Sequence, residues 1–340
     1  MSAAAMTPVA VEPFELARHT GDLTEGVAAM RSTFREISLA GLVTKANRTA
    51  RHRGSSAAFA GLPEKPVDWY GFDAKDNATI NWYPQGIACA SEAGRDDPLL
   101  VVSWYWKPAG AAKEKGVRLS FLDTSTRKYV HVLLVRPKAD GSYGPINIHA
   151  GGISWCGDLI YVADTAHGMR VFDLNNIFDL SPAHGRYLGY RYILPQTDHW
   201  RPVRAGARFS FASVDRTTSP ATLVSGEYVE PGDTGRVARW ALGGEGVIDA
   251  GADDVAIPVD VYQMPVTKVQ GAHSNDGTWY LSQARDSHEN GALVVIGPDG
   301  DKKTRKLPIG SEDLTCCHEK EVLWSLTEFK NMRVLFAVGL

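Results

Sequence analysis

Between His149 and Leu174 the chain reads HAGGISWCGDLIYVADTAHGMRVFDL. Small residues (Ala150, Gly151, Gly152) lead into a short apolar run, and Cys156-Gly157-Asp158 marks a tight turn. Leu159 to Ala163 is strongly apolar, Asp164 to Gly168 breaks it, and Met169 to Leu174 is apolar again. Short apolar runs joined by Gly and Asp turns predict an antiparallel meander.

The pattern recurs. Gln85-Gly86-Ile87 precedes Leu99 to Tyr105, and Phe209-Ser210-Phe211 precedes Thr222 to Glu227. Gln270-Gly271-Ala272 precedes Trp279 to Gln283, and Glu312-Asp313-Leu314 precedes Leu323 to Glu328. Gly152 to Tyr161 and Gly271 to Tyr280 are both nine positions. A meander repeated roughly every 40 to 65 residues cannot bury both faces alone and must stack on its neighbours. The pattern predicts an all-β fold, a five-bladed β-propeller. A β-sandwich with accidental similarity between strands is the alternative, and the repeated nine-residue spacing argues against it.

Outside the repeats, residues 1–12 are expected to be disordered. Thr20 to Leu39 carries Val27, Met30, Phe34 and Ile37 at helical spacing, with Asp22 or Thr24 to cap it. Residues 44–62 begin with Lys45, Arg48, Arg51, His52 and Arg53 and then turn Ser/Ala-rich. They read as a solvated, mobile loop, or else as a flap bringing cations to an anionic substrate. The expected division is a helical extension with a basic loop over 1–62 and the propeller over 63–340. Trp69 to Trp82 leads into the first blade. Tyr187 to Leu194 reads as a strand, Arg236 to Leu242 as the third blade's last strand and Gly243 to Asp254 as a surface loop. Pro298-Asp299-Gly300 turns a hairpin. Val334 to Val338 closes the ring against the first blade or finishes the fifth.

Composition adds exclusions. The chain has 340 residues, 44% hydrophobic, with formal net charge −3, so nothing in the balance points to nucleic acid or an anionic membrane. Cys89, Cys156, Cys316 and Cys317 show no CxxC or Cys/His ligand spacing, which predicts thiols rather than a zinc site. No basic n-region with an apolar core opens the chain, and no apolar run approaches membrane-span length. A cytoplasmic protein is expected. Phosphate-loop, dinucleotide, GxSxG, HExxH and EF-hand patterns are absent from the sequence, so no cofactor is expected.

In a propeller the first strand of each meander starts, and the second ends, at one mouth of the central channel. That geometry gathers Tyr83, Gln85, His149, Arg208, Gln270, His273 and Glu312 with Trp104, Tyr105, Asp164, Thr165, Glu227, Gln283, Arg285 and Glu328. Such a set can bind a small polar-aromatic molecule and move protons. Each member also has a structural reading. Asp164 and Glu328 can satisfy loop amides, His149 can hydrogen-bond across the channel, and Glu312-Asp313 can tie blades together. Glu92, in the turn after the first inner strand, should point to the opposite face and be solvated.

The segments WYPQGI, LVVSWY, HAGGISW, LIYVADT, GMRVFDL, DGTWYLSQ, SEDLT and LWSLTEF resemble the actinobacterial secreted-type five-bladed propeller family over about residues 68–340. Within it they are similar to the bacterial Pictet–Spenglerases, cofactor-free enzymes that build β-carbolines and depend on a catalytic Glu. The chain departs from the secreted type in showing no export signal. The resemblance implies condensation of a tryptophan-like amine with an aldehyde. By spacing it points to Glu92 as catalyst, whereas the strand geometry favours Glu312. Trp104, Tyr105 and Tyr83 would stack the indole, and Arg208, Arg201 or Arg204 would hold an anionic group. A homodimer is left open. The competing expectation is a non-catalytic module binding a protein or glycan.

Overall fold

In the computed structural model, which describes residues 5–181 and 184–340, twenty strands from Asp68 onward build the propeller. The first meander comprises β2 (Trp82–Cys89), β3 (Leu99–Trp106), β4 (Gly116–Asp123) and β5 (Lys128–Pro137). The second comprises β6 (Ile153–Cys156), β7 (Leu159–Asp164), β8 (Gly168–Asp173) and β9 (Tyr192–Pro202). The third is β10 (Phe211–Asp215), β11 (Thr222–Gly226), β12 (Arg236–Ala241) and β13 (Asp260–Gln263). The fourth is β14 (Val269–Asn275), β15 (Thr278–Gln283), β16 (Asn290–Ile296) and β17 (Lys302–Ile309). The fifth takes β18 (Ser311–Cys317), β19 (Val322–Thr327) and β20 (Val334–Gly339) from the C-terminus and β1 (Asp68–Gly71) from the N-terminal side.

Alternation along each strand explains why the blades stack. In β3, Leu99 and Val101 enter a core shared with Ile153, Trp155 and Ile160 of the second blade. Leu100, Val102 and Trp104 enter a different core, shared with Trp324, Leu326 and Leu335 of the fifth. Successive side chains point to opposite faces, so a strand apolar at every position serves two neighbours. Comparable cores join the second blade to the third, the third to the fourth and the fourth to the fifth. The inner strands β2, β6, β10, β14 and β18 follow one another around the axis and close on β2.

The glycine that marks three of the five repeats sits where adjacent inner strands approach most closely. A Cβ on Gly86 would lie 2.6 Å from the Ile153 amide, on Gly152 2.3 Å from Ala212, and on Gly271 2.7 Å from Leu314. Real Cβ contacts are essentially never that short, so the repeat requires glycine there.

Several expectations are corrected. Helix α1 spans Leu23–Thr33, shorter than the periodicity suggested, because Phe34 turns extended and Arg35–Glu36 pairs with Phe178–Asp179. Thr7–Pro8 is not disordered but pairs with β13, while residues 1–4 lie outside the described residues. The basic stretch is not a mobile loop: Arg48–Thr49 pairs with β5 and Arg51–His52 with β1. Leu16–Arg18 pairs with β9. The segment before Asp68 therefore runs as a belt around the outer strands. Trp69 belongs to the last blade rather than the first, and β13, not β12, is the fourth strand of its blade. β9 begins at Tyr192 and pairs parallel with β5, joining the first two blades into one sheet. Among the described residues no helix is long and apolar enough to cross a membrane.

Candidate functional site

Three levels of the channel are occupied by carboxylates. Asp313 stands mid-channel. Its side chain accepts the amides of Ile87 at 3.2 Å, Ile153 at 3.1 Å and Ala212 at 3.3 Å, from three different blades. Inner-strand edges have no β-partner toward the axis, and buried amides must find an acceptor. Burial pushes the Asp313 carboxyl well up, while the amides of Ile153, Ile87 and Leu314 pull it down.

Glu92 plugs the far end. It is 3% exposed, contrary to the expected solvated turn, because the turn after β2 folds inward as a short 3-10 segment, Ala90–Ala93. It accepts the amide of Val214 at 3.3 Å, and its second oxygen lacks a partner among the described residues. Burial pushes its pKa up to about 8, opposed by the nearby donors of Thr315, Val214, Cys316 and Trp155. Cys89, Cys156 and Cys316 are buried free thiols with raised pKa values, caused first by burial and next by Glu92.

Part of the set expected at the channel mouth comes together. A cavity of about 530 Å³ is lined by Gln85, His149, Asp164, Thr165, Arg208 and Gln270, with Glu114, Arg170 and Tyr228 among the residues added by the structure. Asp164 is buried and accepts from Arg170 Nε at 2.9 Å, and His167 Nδ1 lies 3.0 Å away. Gln85 donates to Glu328 at 2.8 Å. The Tyr105 ring stacks on Tyr83 at 5.0 Å and tilts against His149 at 4.4 Å. His149 Nδ1 is 3.6 Å from Glu114, and burial holds its pKa below the ordinary value.

Glu312 lies beneath this mouth, 2% exposed, with one carboxyl oxygen unpartnered among the described residues. Its pKa is raised well above the carboxylate range, first by burial and then by Glu328 and Asp313. Glu328 is raised by burial too, against the hydrogen bond from Gln85 and the charge of Arg333. Both glutamates help raise the Tyr105 and Tyr228 hydroxyls, after burial in Tyr105 and after burial and the hydrogen-bonded Glu230 in Tyr228. Two carboxyls whose pKa values burial raises, with phenols and an imidazole nearby, are suited to proton transfer.

Tyr83, Trp104, Tyr105, Glu227, His273, Gln283, Arg285, Glu312 and Glu328 were expected at the mouth but are not among the residues lining this cavity. Trp104 points into the core between the first and fifth blades, where Nε1 donates to Ser120 at 2.8 Å. His273 is fully buried near His318 and Tyr280, away from the cavity lining, and neither ring nitrogen has a partner among the described residues. Strand parity could have shown both displacements. Glu114 comes from a loop whose sequence carries no periodic signal.

No family model and no curated sequence matches the chain. Among solved structures, it is similar to a GH43_1 enzyme from Xanthomonas citri complexed with xylotriose, at 10% identity over 78% of this chain and 89% of that one, with TM-score 0.41. It is also similar to a GH43 β-xylosidase/α-arabinofuranosidase from a compost microbial metagenome, at 10% identity over 78% and 93%, with TM-score 0.41. Kuenenia stuttgartiensis hydrazine synthase is similar at 12% identity over 73% and 74%, with TM-score 0.36.

Proposed function

We propose that the mouth is the active site of a cofactor-independent acid–base enzyme, performing a Pictet–Spengler-type condensation of a tryptophan-like amine with an aldehyde. The observation that carries this reading is a buried Glu312 with a half-buried Glu328, the latter accepting from the cavity-lining Gln85, next to a cavity walled by Tyr228, His149, Asp164 and Arg208. The amine adds to the aldehyde, and a carboxylic acid donates the proton that lets the hydroxyl leave as water. The iminium that forms is cationic, and a carboxylate stabilises it. The indole closes on the iminium carbon, and a carboxylate then removes the displaced ring proton. One water is released overall. Tyr83 and Tyr105 offer a stacking surface for the indole. Exposed Arg208 offers a guanidinium to the substrate carboxylate.

Tryptophan and a panel of aldehydes, followed for tetrahydro-β-carboline by mass and fluorescence, test the reading. Glu312→Gln and Glu328→Gln should each lower kcat by about 10²–10⁴-fold while substrate still binds. Product formation unchanged in both variants, or absent with every aldehyde, would sink it.

One observation favours a second reading. Planar amide and guanidinium groups from Gln85, Asn147, Arg208 and Gln270 line the cavity, a lining that suits sugar hydroxyls. A non-catalytic glycan-binding module would bind neutral oligosaccharides without turning them over, and calorimetry separates the two.

A further inference from the structure

The belt crosses the outside of the first blade at a second cavity, unrelated to the channel. It has about 460 Å³ and is lined by Lys45, Arg48, Lys75, Arg118, Arg186 and Arg191, with Asp76 as the carboxylate among its lining residues. The cations differ in what already holds them. Arg191 is bidentate on Asp179, and Arg48 lies 3.1 Å from Asp73. Lys45, Lys75 and Arg186 have no acidic partner among the described residues.

Asp76 cannot neutralise the remainder, because it is already saturated. It accepts from Arg118 at 2.9 Å, from the Tyr129 hydroxyl at 2.7 Å and from His131 at 3.0 Å. Arg118 is buried, its guanidinium lies over Trp82 and Trp104, and its Nε has no acceptor among the described residues. That Nε is itself out of contact with solvent, so Arg118 contributes to the cavity the charge of its guanidinium rather than this donor. The wall also carries Trp82, Tyr190 and Tyr192.

We propose that this cavity binds a small phosphate ester with a planar ring, the phosphate held among Lys45, Lys75, Arg186 and Arg118 and the ring against Trp82 and Tyr190. Guanidinium forks and lysine point charges both suit phosphate oxygens. The cavity is larger than a bare phosphate needs, and its aromatic wall suits a planar ring. The binding does not depend on chemistry at the channel mouth.

Calorimetry at low salt with adenosine monophosphate, pyrophosphate, citrate and adenosine reads the site. Adenosine monophosphate is expected to bind with Kd below about 1 mM, pyrophosphate more weakly, and adenosine undetectably. The Lys45→Glu/Lys75→Glu variant changes two exposed side chains, and its Kd should rise at least about tenfold with the thermal midpoint retained. Raising the salt tenfold should also weaken binding. Glu312→Gln should leave it unchanged. Absence of binding by both phosphates, citrate binding as tightly as adenosine monophosphate, or an unaltered Kd in the charge-reversal variant would overturn the assignment.

Discussion

Asp313 and Glu92 bind alternate amides of one strand: the Ala212 amide goes to Asp313 and the Val214 amide to Glu92, each at 3.3 Å. Alternate amides of β10 share an edge, so the edge facing the axis is served by carboxylates from the fifth blade and from the turn after β2. The two residues make the channel floor and leave the mouth above them.

The first prediction follows from Asp313. Asp313→Ala strips the acceptor from three buried amides on three blades. An unsatisfied buried donor costs roughly 1–3 kcal/mol, so the variant should lose at least about 3 kcal/mol in urea unfolding. A loss below about 1 kcal/mol would mean that water replaces the carboxylate without cost and that Asp313 does not hold the blades together.

The repeat glycines give the second. Gly152→Ala places a methyl 2.3 Å from both the Ala212 nitrogen and the Phe211 Cα, backbone atoms that cannot swing away. The second and third blades must part, and a loss of about 3 kcal/mol or more is expected, as for severe overpacking. Gly110→Ala meets nothing within 4 Å. Its cost is confined to the left-handed backbone at φ +79, about 1 kcal/mol. Thermal midpoints of the pair, measured together, separate crowding from strain. Equal midpoints would refute the close-approach account of the repeat.

Glu92 gives a pH dependence. Its folded pKa of about 8 lies above the ordinary value of 4.5. The unfolded chain therefore releases this proton first as pH rises. The associated stability is fully present below pH 4.5 and is lost as pH climbs through about 8. Glu92→Gln keeps an oxygen for Val214 and places an amide where the second oxygen had no partner. It should remove that slope and be a few kcal/mol more stable than the parent at pH 8. Turnover at the mouth should not change. Loss of turnover with retained stability would transfer the catalytic role to Glu92, as the family resemblance implies.

What the sequence showed of this molecule depended on periodicity. The repeats were legible because close approach imposes glycine at Gly86, Gly152 and Gly271, and the turn residues punctuate each meander. The mouth was legible for Gln85, Asp164, Arg208 and Gln270, since strand starts and ends fix a residue's height along the channel. Height does not fix direction. Trp104 has the parity of Val102 and enters the same core, whereas Tyr105 reaches His149. Outer strands were poorly legible. Nothing local in Asp68–Gly71 reveals that its partner is Val334–Gly339, because the pairing spans the chain. Nor could spacing foresee that Arg48 would leave a solvated loop to meet Asp73 and Asp76.

His273 supplies the last prediction. Burial lowers its pKa to about 3, and coulombic interaction with Asp215 opposes that shift. The imidazole is thus neutral in the folded protein at pH 7, and neither nitrogen has a partner among the described residues. A base with a depressed folded pKa contributes stability that is present above the unfolded value of about 6.5 and is lost as pH falls toward 3. His131 and His199 titrate in the same direction, each also lowered to about 3 by burial first. Acid unfolding should therefore begin below about pH 6.5. His273→Leu removes two unsatisfied polar atoms from a fully buried site beside Tyr280. The variant should be no less stable than the parent at pH 7 and more stable by at least about 1 kcal/mol at pH 5. Turnover should be retained, because His273 is not among the residues lining the mouth cavity. A variant that melts earlier at both pH values would show that the imidazole has partners in the folded state. One that keeps its melting point but loses turnover would return His273 to the active site, where its position near the start of an inner strand had placed it.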